Sequence, residues 1–223
     1  SDYHYKCLKD VAKYLRTTKT RGIRFKRPST LLDKEFDEMH HDRMDPQLKL
    51  PKYPEDITKD KLICFVDAAY GNDPKKRRRT TGYAFTYSGG AIVYRSTAQS
   101  ITAQSSTEAE FLAAVTAAKT ARFLRSVLKE LGLEQCGPTP IYEDNASTLE
   151  IVNAQKPTDR TRHIDIRFFA IQDWQPQTKD IILKHIPGVI NPADDLTKPL
   201  GWVLHSRHAR YVMGHCNYAN NLD

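Results

Sequence analysis

At 223 residues, 39% of them hydrophobic, the chain is long enough for one sizeable core and carries enough apolar side chains to build it. Lys and Arg number 34 against 27 Asp and Glu, a formal charge of +7 that favours a polyanionic partner. No apolar run approaches the roughly 18 residues that a membrane helix requires, and the N-terminus has no signal-peptide core, so membrane insertion and secretion are not expected.

Tyr3, Cys7, Val11 and Tyr14 share one helical stripe with Leu8 and Leu15 beside it, which predicts an N-terminal helix; GIRF after it reads as a short strand. Residues 28–60 are polar and mixed in charge, with Pro28, Pro46, Pro51 and Pro54, the composition of a connector, so the main domain is expected to begin near Lys61. LICFV, apolar on both alternations, predicts a central strand covered on both faces that stops on Asp67, where core meets solvent. After a polar, basic loop, TGYAFTY, a Ser-Gly-Gly turn at 88–90 and AIVYRSTAQS complete a three-stranded antiparallel meander.

A long helix follows in SSTEAEFLAAVTAAKTARFLRSVLKELG, with Ser105 and Thr107 as alternative N-caps, each three residues before a glutamate, and Gly132 at its close. PIYED is a short strand ending at Asp144, ASTLEIVNA a short helix stopped before Pro157, and HIDIRFFAIQDW a further helix. DIILKHI is the last strand, and NPADDL starts the last domain helix, capped by Asn191 with Pro192 at its first position.

Four acids fall at the ends or starts of these elements: Asp67, Glu110, Asp144 and Asp194. If the strands before Asp67 and Asp144 are parallel neighbours, both carboxylates emerge at one edge of the sheet. Glu110 is placed in the first turn of the long helix, and Ala113, Ala114, Ala117 and Ala121 follow on its face, small enough to let the helix lie close on the sheet. Asp194 would close the set from the other side. Crowded carboxylates do not all ionise unless something positive compensates them, and an oxygen-only set favours Mg2+ or Mn2+. Two such ions about 3.5–4 Å apart activate a water and stabilise the leaving oxygen of a phosphodiester displacement. Singly, each acid has a plainer reading: a turn at Asp67, a capping box at Glu110, an Asp-Asn turn at Asp144 and a helix-dipole contact at Asp194.

The pieces DAAYGNDPKKRRRTTGY, SSTEAEF, IYEDNAST, TRHIDIRFF and NPADDLTKPL stand in the order of the ribonuclease H domain of copia-type LTR retrotransposon Pol polyproteins, which the chain resembles from Leu62 to about Leu200. The opening HYKCLKDVAKYLRTTKTRGIRF looks like the segment joining reverse transcriptase to ribonuclease H, and LHSRHARYVMGH is similar to the family's tail. The resemblance implies an α/β, ribonuclease H-like fold: a mixed five-stranded sheet, three antiparallel strands then parallel ones, flanked by helices, with an N-terminal helical connector. It implies a C-terminal fragment with the end of the reverse transcriptase or connection segment at 1–27, a linker at 28–60, the ribonuclease H domain at 61–200 and a helical tail at 201–223.

The implied activity is hydrolysis of the RNA strand of RNA/DNA hybrids with two Mg2+ or Mn2+ ions, and the implied partners are the hybrid and the upstream reverse transcriptase domain. Asp67, Glu110, Asp144 and Asp194 carry over as catalytic and metal-binding carboxylates; Glu110 is preferred to Glu108 because AEF fits the family's pattern, and Asp194 to Asp195 because NPAD does. Lys75, Lys76, Arg77 and Arg78 are candidate nucleic-acid contacts, although acids often occupy positions 75 and 76 in the family; the same run also reads as a nuclear-import patch or a solvated hairpin loop. Arg162 and His163 could approach substrate or product, against a structural role beside Asp165, and His185 is either a proton shuttle or a half-buried strand histidine.

Cys7, Cys64, Cys136 and Cys216 form no Cys-x-x-Cys pair and fit a reduced compartment. The expected location is therefore intracellular, and the resemblance implies a cytoplasmic virus-like particle or the nucleus. The rival readings are a DNA nuclease or transposase of the same fold, and a non-catalytic module that binds nucleic acid or braces the polymerase.

Overall fold

The computed structural model describes residues 2–19, 22–23, 25, 60–70, 79–100, 103, 105–153, 170–171 and 173–214. The expected N-terminal helix is α1 (Asp2–Thr17), but its apolar side chains Tyr3, Tyr5, Leu8, Val11 and Leu15 are exposed rather than packed. Gly22, Ile23 and Phe25 of the expected GIRF strand lie outside any strand.

The main domain opens with the anticipated meander: β1 (Ile63–Tyr70), β2 (Arg79–Tyr87) and β3 (Gly90–Ala98), antiparallel in turn. The tight β2–β3 turn puts Ser88 at φ 48° and Gly89 at φ 91°, a left-handed pair that follows the twist of the flanking strands. The expectation that β1 stops on Asp67 is corrected: the strand continues to Tyr70, and Asp67 lies within it, opposite Gly82. The reason is the length of β2, which keeps pairing β1 as far as Tyr70–Arg79, beyond the local apolar run.

On the other side of β1 lies β4 (Thr139–Glu143), parallel, and beyond it β5 (Ile181–His185), parallel to β4, giving the order β3-β2-β1-β4-β5. This mixed five-stranded sheet, three antiparallel strands followed by parallel ones, has the expected arrangement. β1 and β4 pair at Cys64–Ile141 and Phe65–Tyr142, so β4 ends while β1 runs on. Beside Asp67, therefore, β1 has a strand neighbour on one side only.

One sheet face is covered by α2 (Ser106–Glu130), whose Ala113, Ala114, Ala117 and Ala121 are fully buried in a cluster with Leu62, Cys64 and Val66. Small side chains there let the helix approach the sheet closely. α3 (Ala146–Asn153) follows β4 and buries Val152 in the same cluster. The helix expected over 163–174 lies largely outside the described residues; a wide turn at Asp173–Gln177 precedes β5.

On the opposite face Ile63, Phe65 and Tyr142 pack with Ile186, Ile190, Ala193 and Tyr211, the last from α3's successor α4 (Trp202–Val212). Phe65 stacks on Tyr142 and meets Tyr211 edge-on, each at 5.4 Å between ring centroids. Each such ring contributes about 1.5–3 kcal/mol by leaving water. β1 is thus buried on both faces, as its unbroken apolar run requires.

Candidate functional site

The site lies where β1 outlasts β4. Asp67 has the strand parity of Ile63 and Phe65, so it faces the side covered by the turns that follow β5. The last of these, a tight turn over Pro192–Leu196, has Pro192 at its first position and Asn191 as its cap, as expected, although it is a short 3-10 turn and no longer helix grows from it. Asn191 is fully buried: its Oδ1 accepts from Ala193 N at 3.2 Å, and its Nδ2 donates to Val66 O at 2.9 Å. One side chain therefore shapes the turn and ties it to β1 one residue before Asp67.

Thr197 adds a second tie by donating its hydroxyl to Asp67 Oδ2. Gly82, the partner of Asp67 in β2, makes room for this turn. A Cβ there would fall 2.5 Å from Thr197 Cγ2, 2.8 Å from Leu196 Cβ and 3.0 Å from Ala193 O. These long-range contacts leave Asp67 only 3% exposed, which corrects the expectation of a carboxylate at the core–solvent boundary.

Glu110 arrives from α2. Ser105 is the N-cap, accepting from Glu108 N at 3.1 Å, which makes Glu110 the fifth helical residue and not a member of the first turn. Asp144 follows β4 directly, and Gly188 lies so close that a Cβ on it would stand 2.8 Å from Asp144 Oδ2. The structure brings Asp67, Glu110 and Asp144 together: one carboxylate oxygen from each lies within 4.8 Å of the other two.

Burial, then the charges of Asp67 and Asp144, push the Glu110 carboxyl up to about 9, although the Ala68 amide and the Arg79 guanidinium pull it down. Burial, then Asp67, raises Asp144 as well, against Lys198 and a hydrogen bond with Glu143. Glu110 Oε2 is buried without a hydrogen-bond partner among the described residues. An all-oxygen set with a surplus of negative charge and an orphaned carboxylate oxygen fits a hard divalent cation of the Mg2+ or Mn2+ kind.

Asp194 lies beside this trio but is not within it. Its Oδ1 pairs with Lys198 Nζ at 2.9 Å, and burial, then the neighbouring Asp67 and Asp144, pushes its carboxyl up to about 7 against the pull of that lysine. Asp195 pairs instead with His205 Nδ1 at 3.1 Å, and Glu108 is buried near the α2 cap outside the trio. His185 closes β5 opposite Glu143 and is exposed, which corrects the half-buried reading. Lys75, Lys76, Arg77, Arg78, Arg162 and His163 lie outside the described residues.

Sequence reasoning passed over Glu143. It is fully buried, its Oε1 accepts from Asn145 N at 3.2 Å, and its Oε2 has no partner among the described residues. Burial, then Glu110 and Asp144, drives its carboxyl well above the usual range. The available signal was an acid at the end of an apolar strand, immediately before Asp144. Lys198 was also passed over, although its spacing of four from Asp194 is the interval at which side chains in a helical turn meet.

No protein-family model matches the chain. It is 39% identical over 137 residues to the retrovirus-related Pol polyprotein from transposon TNT 1-94 of Nicotiana tabacum, covering 61% of this chain and 10% of that polyprotein. It is 26% identical over 212 residues to the Pol polyprotein from transposon RE2 of Arabidopsis thaliana, covering 95% of this chain and 12% of that one. Among solved structures it is similar to LC11-RNase H1, isolated from compost by a metagenomic approach, at 17% identity and a TM-score of 0.48, covering 62% of this chain and 93% of that one. The chain spans about a tenth of the length of the two polyproteins. Its sequence is thus similar to a segment of retrovirus-related Pol polyproteins from plant transposons.

Proposed function

We propose that this segment is a ribonuclease H: an endonuclease that hydrolyses the RNA strand of RNA/DNA hybrids during retrotransposon reverse transcription, using two Mg2+ or Mn2+ ions. The observation that carries the reading is the convergence of Asp67, Glu110 and Asp144, from β1, α2 and the end of β4, on one point.

In this reading Asp67, Glu110 and Asp144 hold the metal, and Asp194 serves as the fourth ligand. A divalent ion held there supplies Lewis acidity and a bound water of lowered pKa. The protein's part is placement. The Thr197 hydroxyl orients Asp67, Asn191 fixes the turn that carries Asp194, and the sheet holds Asp67 within β1 and Asp144 just past the end of its parallel neighbour β4. Burial keeps competing water away from the Glu110 carboxyl, which would give up its proton to act as a ligand. Specificity for a hybrid requires contacts to 2′-hydroxyls across its wide minor groove. Lys75, Lys76, Arg77, Arg78 and Arg162 are proposed to grip the backbone. The upstream reverse transcriptase of the same polyprotein is the proposed partner.

The test is cleavage of end-labelled RNA/DNA hybrid, RNA duplex and DNA duplex by the purified chain with Mg2+, Mn2+ or EDTA. The expected result is metal-dependent cutting of the RNA in the hybrid alone, lost in Asp67→Asn. Cutting of duplex DNA would identify a DNA nuclease, and tight hybrid binding without cleavage would identify a non-catalytic module; either would overturn the proposal.

A further inference from the structure

The trio of Asp67, Glu110 and Asp144 excludes the fourth carboxylate, although Asp194 is its neighbour and is tied to the same strand through Asn191 and Thr197. What distinguishes Asp194 is its pairing with Lys198. The backbone fixes the arrangement: Lys198 N donates to Asp194 O at 3.0 Å, which returns the lysine over the aspartate, and Nζ meets Oδ1 at 2.9 Å. The two side chains differ in freedom, because that of Asp194 is 9% exposed and that of Lys198 42%. The carboxylate is fixed in the protein, whereas the ammonium reaches it on a flexible stem from the solvent side.

We propose that Lys198 is a resident counter-ion that metal displaces: its ammonium holds Asp194 in the metal-free protein and surrenders that carboxylate when a divalent cation binds. The inference rests on the metal-binding reading above and adds to it a residue that regulates loading of the site. A fixed acid with a movable cation lets the crowded carboxylates fold without metal, and the swap exchanges a single charge for a double one. Once released, the ammonium remains tethered four residues from Asp194, within reach of a phosphate brought to the site.

Calorimetric titration with Mn2+ compares the wild-type chain with Asp67→Asn, Lys198→Met and Lys198→Arg. Removal of the competing cation in Lys198→Met should tighten Mn2+ binding about three- to tenfold at low salt, with a smaller gain at high salt, while Lys198→Arg should stay near wild type. A second measurement needs no variant: acylation of lysines by an amine-reactive ester, read by mass spectrometry, should be slow at Lys198 in EDTA and should accelerate there on adding Mn2+. Wild-type binding that is lost in Asp67→Asn but unchanged in Lys198→Met, or Lys198 acylation that metal leaves unaltered, would overturn the exchange and leave the metal site standing. No Mn2+ binding by the wild type would overturn both.

Discussion

The two ends of α2 treat acids in opposite ways. Toward the C-terminal end Asp180 is matched by the chain itself: Arg122 Nε and Thr178 Oγ1 donate to Oδ2 at 2.9 and 2.8 Å, and Arg122 lies over the Trp174 ring. Toward the N-terminal end Glu110 and Glu143 each keep a buried oxygen without a partner among the described residues, and Asp67, Asp144 and Asp194 crowd beside them with Lys198. An acid that serves the fold is provided with its donors; these have been left short of positive charge in a place that is costly to leave uncompensated. The shortfall is what makes the N-terminal end a site.

The contrast is tested most severely by exchanging each acid for its amide. Glu110→Gln should lower hybrid cleavage at least about 100-fold, since it removes a charge that the reaction needs. Asp180→Asn should leave cleavage within about twofold and instead cost about 1 kcal/mol in urea unfolding. A loss of activity in both, or in neither, would erase the distinction. Next in size is Gly82→Ala, which drives a methyl group into Thr197 and Leu196 and displaces the turn carrying Asp194. Overpacking of this kind costs about 1–3 kcal/mol, and cleavage rates should fall about tenfold.

A smaller effect is expected in the pH dependence of thermal stability without metal. Glu110 holds a proton in the folded protein up to about pH 9, whereas an unfolded glutamate releases it near 4.5. Between these values the unfolded chain binds fewer protons, so rising pH destabilises the fold. In EDTA the melting temperature should therefore fall by several degrees from pH 7 to 9, and saturating Mg2+ should remove most of that decline. The smallest change is expected for Glu143→Gln, which removes an acid with no matching cation among the described residues and should raise metal-free stability by about 1 kcal/mol at pH 8.

Much of this architecture is legible in the residues. Alternation in TGYAFTY and AIVYRSTAQS, with Ser88-Gly89 between them, gives the meander, and the alanine stripe of α2 identifies the face that meets the sheet. Asp67, Glu110 and Asp144 stand out because each accompanies an element whose pattern is clear. Less legible was whatever depends on distant chain. Nothing near Asp67 reveals that β2 extends its strand or that a turn 125 residues from Val66 is fastened over it. Glu143 and Lys198 carry no local signal of their own, because the burial of the one and the pairing of the other with Asp194 arise only in the fold. Local pattern identifies elements; the environment of a charge is decided by what the fold lays on top of it.

The placement of Tyr211 bears on where this domain can be cut. Its ring packs on the same face of β1 that carries Asp67. A polypeptide trimmed after Leu200, where the recognisable motifs end, would uncover Phe65, Tyr142 and Ile190 to solvent, and such an apolar opening invites aggregation. A stable minimal domain should therefore retain α4 through Val212. Truncations that look catalytically innocent would weaken the wall against which the acidic strand is braced.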